Sequence, residues 1–177
     1  EALAAYAVLA NLYFPSYDYP RLRSALAAAM LQGDPTEMFG ILDNRISRGP
    51  DGRYLDNSTE AFYAITCLDR PYDGGVEDVR ALAEEWKATA PTFGPSLAWG
   101  LLACADWPAT GEQVTSTVAA GSNPILVLST RLDPATPYLW GVLLADELEN
   151  GHLVTYDGVG HTAYLEGSGC VDDAVDE

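Results

Sequence analysis

Basic residues are scarce in this sequence: 9 Lys and Arg stand against 26 Asp and Glu, for a formal net charge of -17 over 177 residues. A surface of that sign repels phosphate backbones, so nucleic acid is not expected as a partner. Long apolar runs are lacking too. None approaches the ~20 residues that cross a bilayer, so no membrane-spanning helix and no membrane partner are expected. No signal peptide opens the chain. It starts at Glu1-Ala2-Leu3 inside a helical pattern, as a processed or cut start would. Cysteine occurs three times and histidine twice, none in a CxxC or Cys/His cluster, so no metal site is expected. The sequence carries no sign of an organic cofactor either. Cys67 is expected to pair with Cys104, leaving Cys170 for a partner outside this sequence.

What is present is a globular composition, 48% hydrophobic. The acidity is spread along the chain, as on a soluble surface. A lesser alternative is a field that attracts a cationic group such as a peptide amino terminus.

Residues 1–110 read as helical. An Ala/Leu-rich helix runs from Glu1 to Phe14, and Pro20 opens a second that stops at Gly33. Asp34-Pro35-Thr36-Glu37 is a helix start in which Asp34 can accept from the N3 amide and Glu37 can reach back. Further helices are expected over Asn57–Leu68, Gly75–Ala90 and Pro95–Cys104. Near Pro108 the pattern changes. Pro124 to Thr130 is a short apolar run that reads as a strand buried on both faces of a parallel sheet. Thr136-Pro137 opens a helix closed by Gly151, His152–Tyr156 is a second strand, Asp157 to Gly160 is a turn cluster, and Cys170–Asp176 starts a last helix. Two strands alone would leave hydrogen-bonding edges and apolar faces uncovered, so the tail over 111–177 is expected to need strands that the first 110 residues do not offer.

Asp133 follows the first strand and His161 the second. In a parallel sheet both loops leave at the carboxyl edge, where the two side chains can meet. A carboxylate that accepts from a histidine ring N–H fixes its tautomer and steadies the imidazolium formed during acyl transfer. Acid before base is also the chain order of α/β hydrolases. His152 stands at the start of its strand, on the opposite edge from Asp133, and is rejected as the base. No G-x-S-x-G occurs. Gly94-Pro95-Ser96-Leu97-Ala98 imitates it after a polar helical segment rather than a buried strand, and Ser129 lies within a strand, so neither serine is expected to be a nucleophile. The oxyanion-hole amides are likewise not expected in this chain.

Several segments resemble the tripeptidyl-aminopeptidase-like α/β hydrolases of actinobacteria: Ala64 to Asp69, Phe93-Gly94-Pro95, Cys104 to Pro108, Pro124 to Leu128, Asp133-Pro134-Ala135-Thr136-Pro137, Leu153 to His161, and Cys170 to Asp176. The resemblance implies a secreted serine exopeptidase. It implies that 1–110 is a helical lid inserted between the sixth and seventh core strands. It also implies that 111–177 is the C-terminal part of the core, with Asp133 as triad acid and His161 as triad base. The serine, the oxyanion hole and the remaining strands would then belong to an N-terminal half of the same hydrolase, the expected partner, and this chain alone would be inactive. Members continue to a further cysteine, which would suit Cys170.

Asp69 and Glu60 are candidates for holding a peptide amino terminus, and Tyr63, Trp86, Phe93, Trp99 and Trp107 for lining an apolar pocket, but helix-surface charge and core packing are the better account of them, and none is taken as a site. The substrate is expected to be a peptide. An esterase or amidase acting on a small molecule is the first alternative, and a non-catalytic binding module derived from the lid is the second.

Overall fold

A computed structural model describes residues 2–109, 111–112 and 116–177. Helix α1 covers Ala2–Ala10 and α2 covers Pro15–Ala27, followed by a π-helical stretch over Ala28–Gln32 that ends at Gly33. The expected first helix thus stops early, and the second begins at Pro15 with Pro20 inside it. Pro15 suits a first helical turn, where its missing N–H has no partner to lose. The N–H of Phe14 just before it donates to the Asp18 carboxylate at 3.0 Å. Then come α3 (Thr36–Arg45), α4 (Ser58–Asp69), α5 (Val76–Thr89) and α6 (Gly94–Gly100) with one 3-10 turn behind it. The Asp34 carboxylate takes the Thr36 amide (3.0 Å) and hydroxyl (2.5 Å), closing the turn before α3 rather than capping its third residue. The tail is β1 (Ile125–Leu132), α7 (Tyr138–Glu147), β2 (Gly151–Val159) and α8 (Gly169–Asp176).

The chain forms two compact units, Glu1–Val8 with Ala25–Gln113, and Leu9–Ser24 with Val114–Glu177. The second unit thus takes in the segment around the start of α2 together with the tail. The first unit is all helix. Met38, Ile41 and Leu42 of α3 are buried, as are Val79 and Ala83 of α5 and Ala98 of α6, which packs on α5. Cys67 and Cys104 are joined by a disulfide across a sequence separation of 37, and Cys170 is free and exposed.

In the second unit β1 and β2 pair in parallel, with Ile125 opposite Gly151 and Thr130 opposite Tyr156. The register slips after Thr130, so that Leu132 pairs with Val159, and β2 runs on through the expected turn at Asp157. Arg131 at the slip reaches the Asp157 carboxylate at 3.4 Å. Parallel strands need a crossover, and α7 supplies it, packing on both. It comes close to β1 because Gly141 has no side chain: a Cβ there would lie 2.5 Å from the Ser129 Cβ. Ser129 itself is buried, with its hydroxyl 3.4 Å from the Tyr138 carbonyl.

The expectation that the first strand is buried on both faces is corrected. Val127, Ser129 and Thr130 are buried, but Leu126 is exposed and Leu132 is 67% exposed. Among the described residues the sheet has two strands, and α7 is the helix that packs on both, which leaves apolar surface open. The fold is a mixed one, helices plus a small parallel sheet, consistent with part of an α/β architecture.

The loop closed by the Cys67–Cys104 bond is long enough for its loss to cost about 3–4 kcal/mol by the loop-entropy relation. Urea unfolding of the Cys67→Ala/Cys104→Ala variant should show a loss of that order, and dithiothreitol should do the same to the unaltered chain but not to the variant.

Candidate active site

Asp133 is the residue directly after β1. Its side chain is only 5% exposed, yet it is fully satisfied. One carboxylate oxygen accepts from the backbone N–H groups of Ala135 (2.8 Å) and Thr136 (2.9 Å), and the other from the Thr136 hydroxyl (2.7 Å). These bonds wrap the Pro134–Thr136 turn around the acid. Burial pushes the carboxyl pKa up, but the two amides, the Thr136 hydroxyl and the His161 ring N–H outweigh it and hold Asp133 below its ordinary value. The group is a carboxylate at neutral pH and can only accept.

His161 lies two residues past the end of β2. Its Nδ1 is 3.0 and 3.1 Å from the two Asp133 oxygens. Since the carboxylate can only accept, Nδ1–H donates and Nε2 carries the free lone pair in the neutral ring. Among the described residues Nε2 takes no hydrogen bond, and the side chain is 26% exposed. The geometry is therefore that of an oriented base whose second nitrogen has no hydrogen bond among the described residues.

The loop that presents the ring is held from three directions. The N–H of Gly160 reaches the Leu132 carbonyl (3.3 Å), and that of His161 donates to the Tyr13 carbonyl (2.7 Å). The Tyr13 ring meets the imidazole edge-on, centroids 4.9 Å apart. Gly160 has φ +111°, and a Cβ there would lie 2.7 Å from the Pro15 ring and 2.9 Å from the Tyr13 carbonyl. Only glycine meets both demands. Thr162, next to the histidine, holds φ 66°, a costly conformation for a β-branched residue and of the kind found beside functional groups. After it Ala163 is buried, while the Tyr164 hydroxyl and the Leu165 N–H donate to Asp176 (2.8 Å) and Asp172 (2.7 Å) of α8.

The structure thus brings Asp133 and His161 together. His152 stands opposite Leu126 at the far end of the sheet, and Ser129 is packed against Gly141. Ser96 is in α6, with no strand before it. Glu60 and Asp69 are exposed residues of α4. Trp86, Phe93 and Trp107 are half-buried in the first unit. Tyr63 and Trp99 are exposed there, Tyr63 lining a hollow with Phe62 and Arg45. Among the described residues no cluster of His, Cys, Asp or Glu could hold a metal. Sequence reasoning missed two contributors. Thr136 was a helix opener there, although a threonine three residues after an aspartate is a known turn signal. Tyr13 was one more helical residue, and no local signal links it to a histidine so distant in the chain.

A family described as "TAP-like protein", of the α/β-hydrolase class, matches residues 90–177. Carboxylesterase B of Mycobacterium tuberculosis is 34% identical over 169 residues, which cover 93% of this chain and 32% of that protein. Serine protease Hip1 of the same species is 36% identical over 146 residues, covering 78% of this chain and 27% of that protein. The chain spans about a third or less of the length of these relatives.

Two outcomes follow from the geometry. Because the folded carboxyl of Asp133 titrates below its unfolded value of about 3.9, the stability it contributes is complete above that pH and is lost as pH falls through the folded value. Asp133→Asn should therefore flatten the acid limb of stability, measured as urea midpoints between pH 7 and pH 2. Gly160→Ala should destabilise the chain by about 1–3 kcal/mol in urea unfolding and should shift the His161 ring signals in NMR spectra.

Proposed function

Through its residues 90–177 the chain belongs to the TAP-like family of α/β hydrolases, and on that premise we propose that it supplies the acid, Asp133, and the base, His161, of a serine hydrolase. One observation carries the reading: a buried, ionised carboxylate orients a partly exposed imidazole at the carboxyl edge of a parallel sheet. A nucleophilic serine, oxyanion-hole amides and further strands would come from an N-terminal part of the same protein. The exposed apolar surface of β1 and α7 and the chain's share of its relatives' length support this.

The chemistry is acyl transfer. The serine hydroxyl attacks the substrate carbonyl while Nε2 of His161 takes its proton, and Asp133 steadies the imidazolium. The imidazolium then gives that proton to the leaving amine or alcohol as its bond to the carbonyl carbon breaks. Water enters by the same route, and the acid product departs. The relationship to a serine protease favours a peptidase, and the resemblance to tripeptidyl-aminopeptidase-like hydrolases favours one that releases short peptides from amino termini. The relationship to a carboxylesterase favours an esterase on the same fold as the second reading. The Cys67–Cys104 bond fits a secreted protein.

In the protein carrying this chain in full, a fluorophosphonate probe should label one serine, and Asp133→Asn should lower kcat about 10⁴-fold. Labelling of the isolated 177-residue chain, or none in the full protein, would overturn the proposal. Turnover of tripeptide amides against simple esters separates peptidase from esterase.

A further inference from the structure

The imidazole has a second neighbour besides the acid. It lines a cleft of about 330 Å³ whose other walls include Tyr13, Phe14, Tyr17, Tyr156 and Val159. Asp133 is not in that wall; with Thr136 it lines a separate recess of about 290 Å³. The imidazole therefore belongs to the wall of the cleft, and the carboxylate that orients it does not.

Acyl transfer constrains what can fill this space. When the bond to the leaving group breaks, the leaving atom must be within hydrogen-bond reach of the imidazolium to receive its proton. Whatever that atom carries then extends into volume adjoining the imidazole. We infer that the cleft beside His161 receives the body of the leaving group and selects leaving groups that are aromatic or apolar. This rests on the reading of Asp133 and His161 as acid and base.

The lining supports the selection. Four aromatic side chains and Val159 offer ring faces and apolar edges. The volume is at the lower end of small-molecule sites, enough for one fused ring system. Among the described residues the cleft has no Lys or Arg, and Glu166 is its one carboxylate, so an anionic leaving group is disfavoured. Three of the four aromatic residues, Tyr13, Phe14 and Tyr17, come from the first turn of α2 and the segment just before it, outside the residues matched by the family. The same segment accepts the His161 N–H, so the element that positions the base also walls the leaving-group space.

The test uses the full protein and two esters of one acyl group, methyl and 2-naphthylmethyl, whose alkoxides have similar intrinsic leaving ability. The unaltered protein should prefer the naphthylmethyl ester in kcat/KM, and free 2-naphthylmethanol should inhibit competitively where methanol does not. Tyr17 is 74% exposed in this chain, so its removal should leave the packing of this chain undisturbed. Tyr17→Ala should lower the ratio of the two kcat/KM values about tenfold and weaken inhibition by naphthylmethanol, while Tyr17→Phe should keep both. A ratio unchanged in Tyr17→Ala and in Phe14→Leu, with both esters turned over, would overturn the inference and leave the hydrolase reading intact. No turnover of either ester and no fluorophosphonate labelling would instead overturn the hydrolase reading, and the inference with it.

Discussion

The bond from the His161 ring to the Asp133 carboxylate exists because two parallel strands end side by side. The acid follows β1 and the base follows β2, and the crossover through α7 brings both strand ends to one edge. Had the strands run antiparallel, the two residues would stand at opposite ends of the sheet, as His152 and Asp133 do now. The register slip after Thr130 also matters. It lets β2 run on to Val159 opposite Leu132, so that Gly160 reaches the Leu132 carbonyl and His161 comes level with the acid.

A buried carboxylate is costly unless its lone pairs are filled. Asp133 meets this locally, through the turn it initiates: two amides and one hydroxyl from Ala135 and Thr136 satisfy it before the histidine adds a bond. The acid is thus fixed in place by its own loop, and the base is fixed by the acid and by the Tyr13–Pro15 segment. The open apolar surface of Leu126, Leu132 and the outer side of α7 contrasts with this well-satisfied site. It is what a sheet expecting further strands would leave exposed.

Much of the site was legible in the sequence. An acid after one apolar run and a glycine-flanked histidine after the next carry a topological meaning, since consecutive parallel strands have their loops on one edge. Gly141 and Gly160 look like ordinary glycines in sequence, and only the packing distinguishes them: the first lets α7 lie against Ser129, the second lets the Tyr13–Pro15 backbone approach the base. The helix starts were less legible. Pro15 and Pro20 both suit a first turn, and the choice fell to Pro15 because Asp18 could bond the Phe14 amide.

By itself the sequence determined what is local or periodic: the helical character of 1–110, the strand–helix–strand order of the tail and the two residues at the strand ends. Those follow from side-chain spacing and chain order alone. The tertiary structure alone decided that the segment over Leu9–Ser24 folds with the tail, that Tyr13 carries the histidine loop, and that aromatic side chains from that segment share a cleft with the imidazole. The physical reason is that these contacts join residues far apart in the chain through a backbone carbonyl, a ring edge and a glycine's empty space, none of which leaves a pattern in the residues on either side.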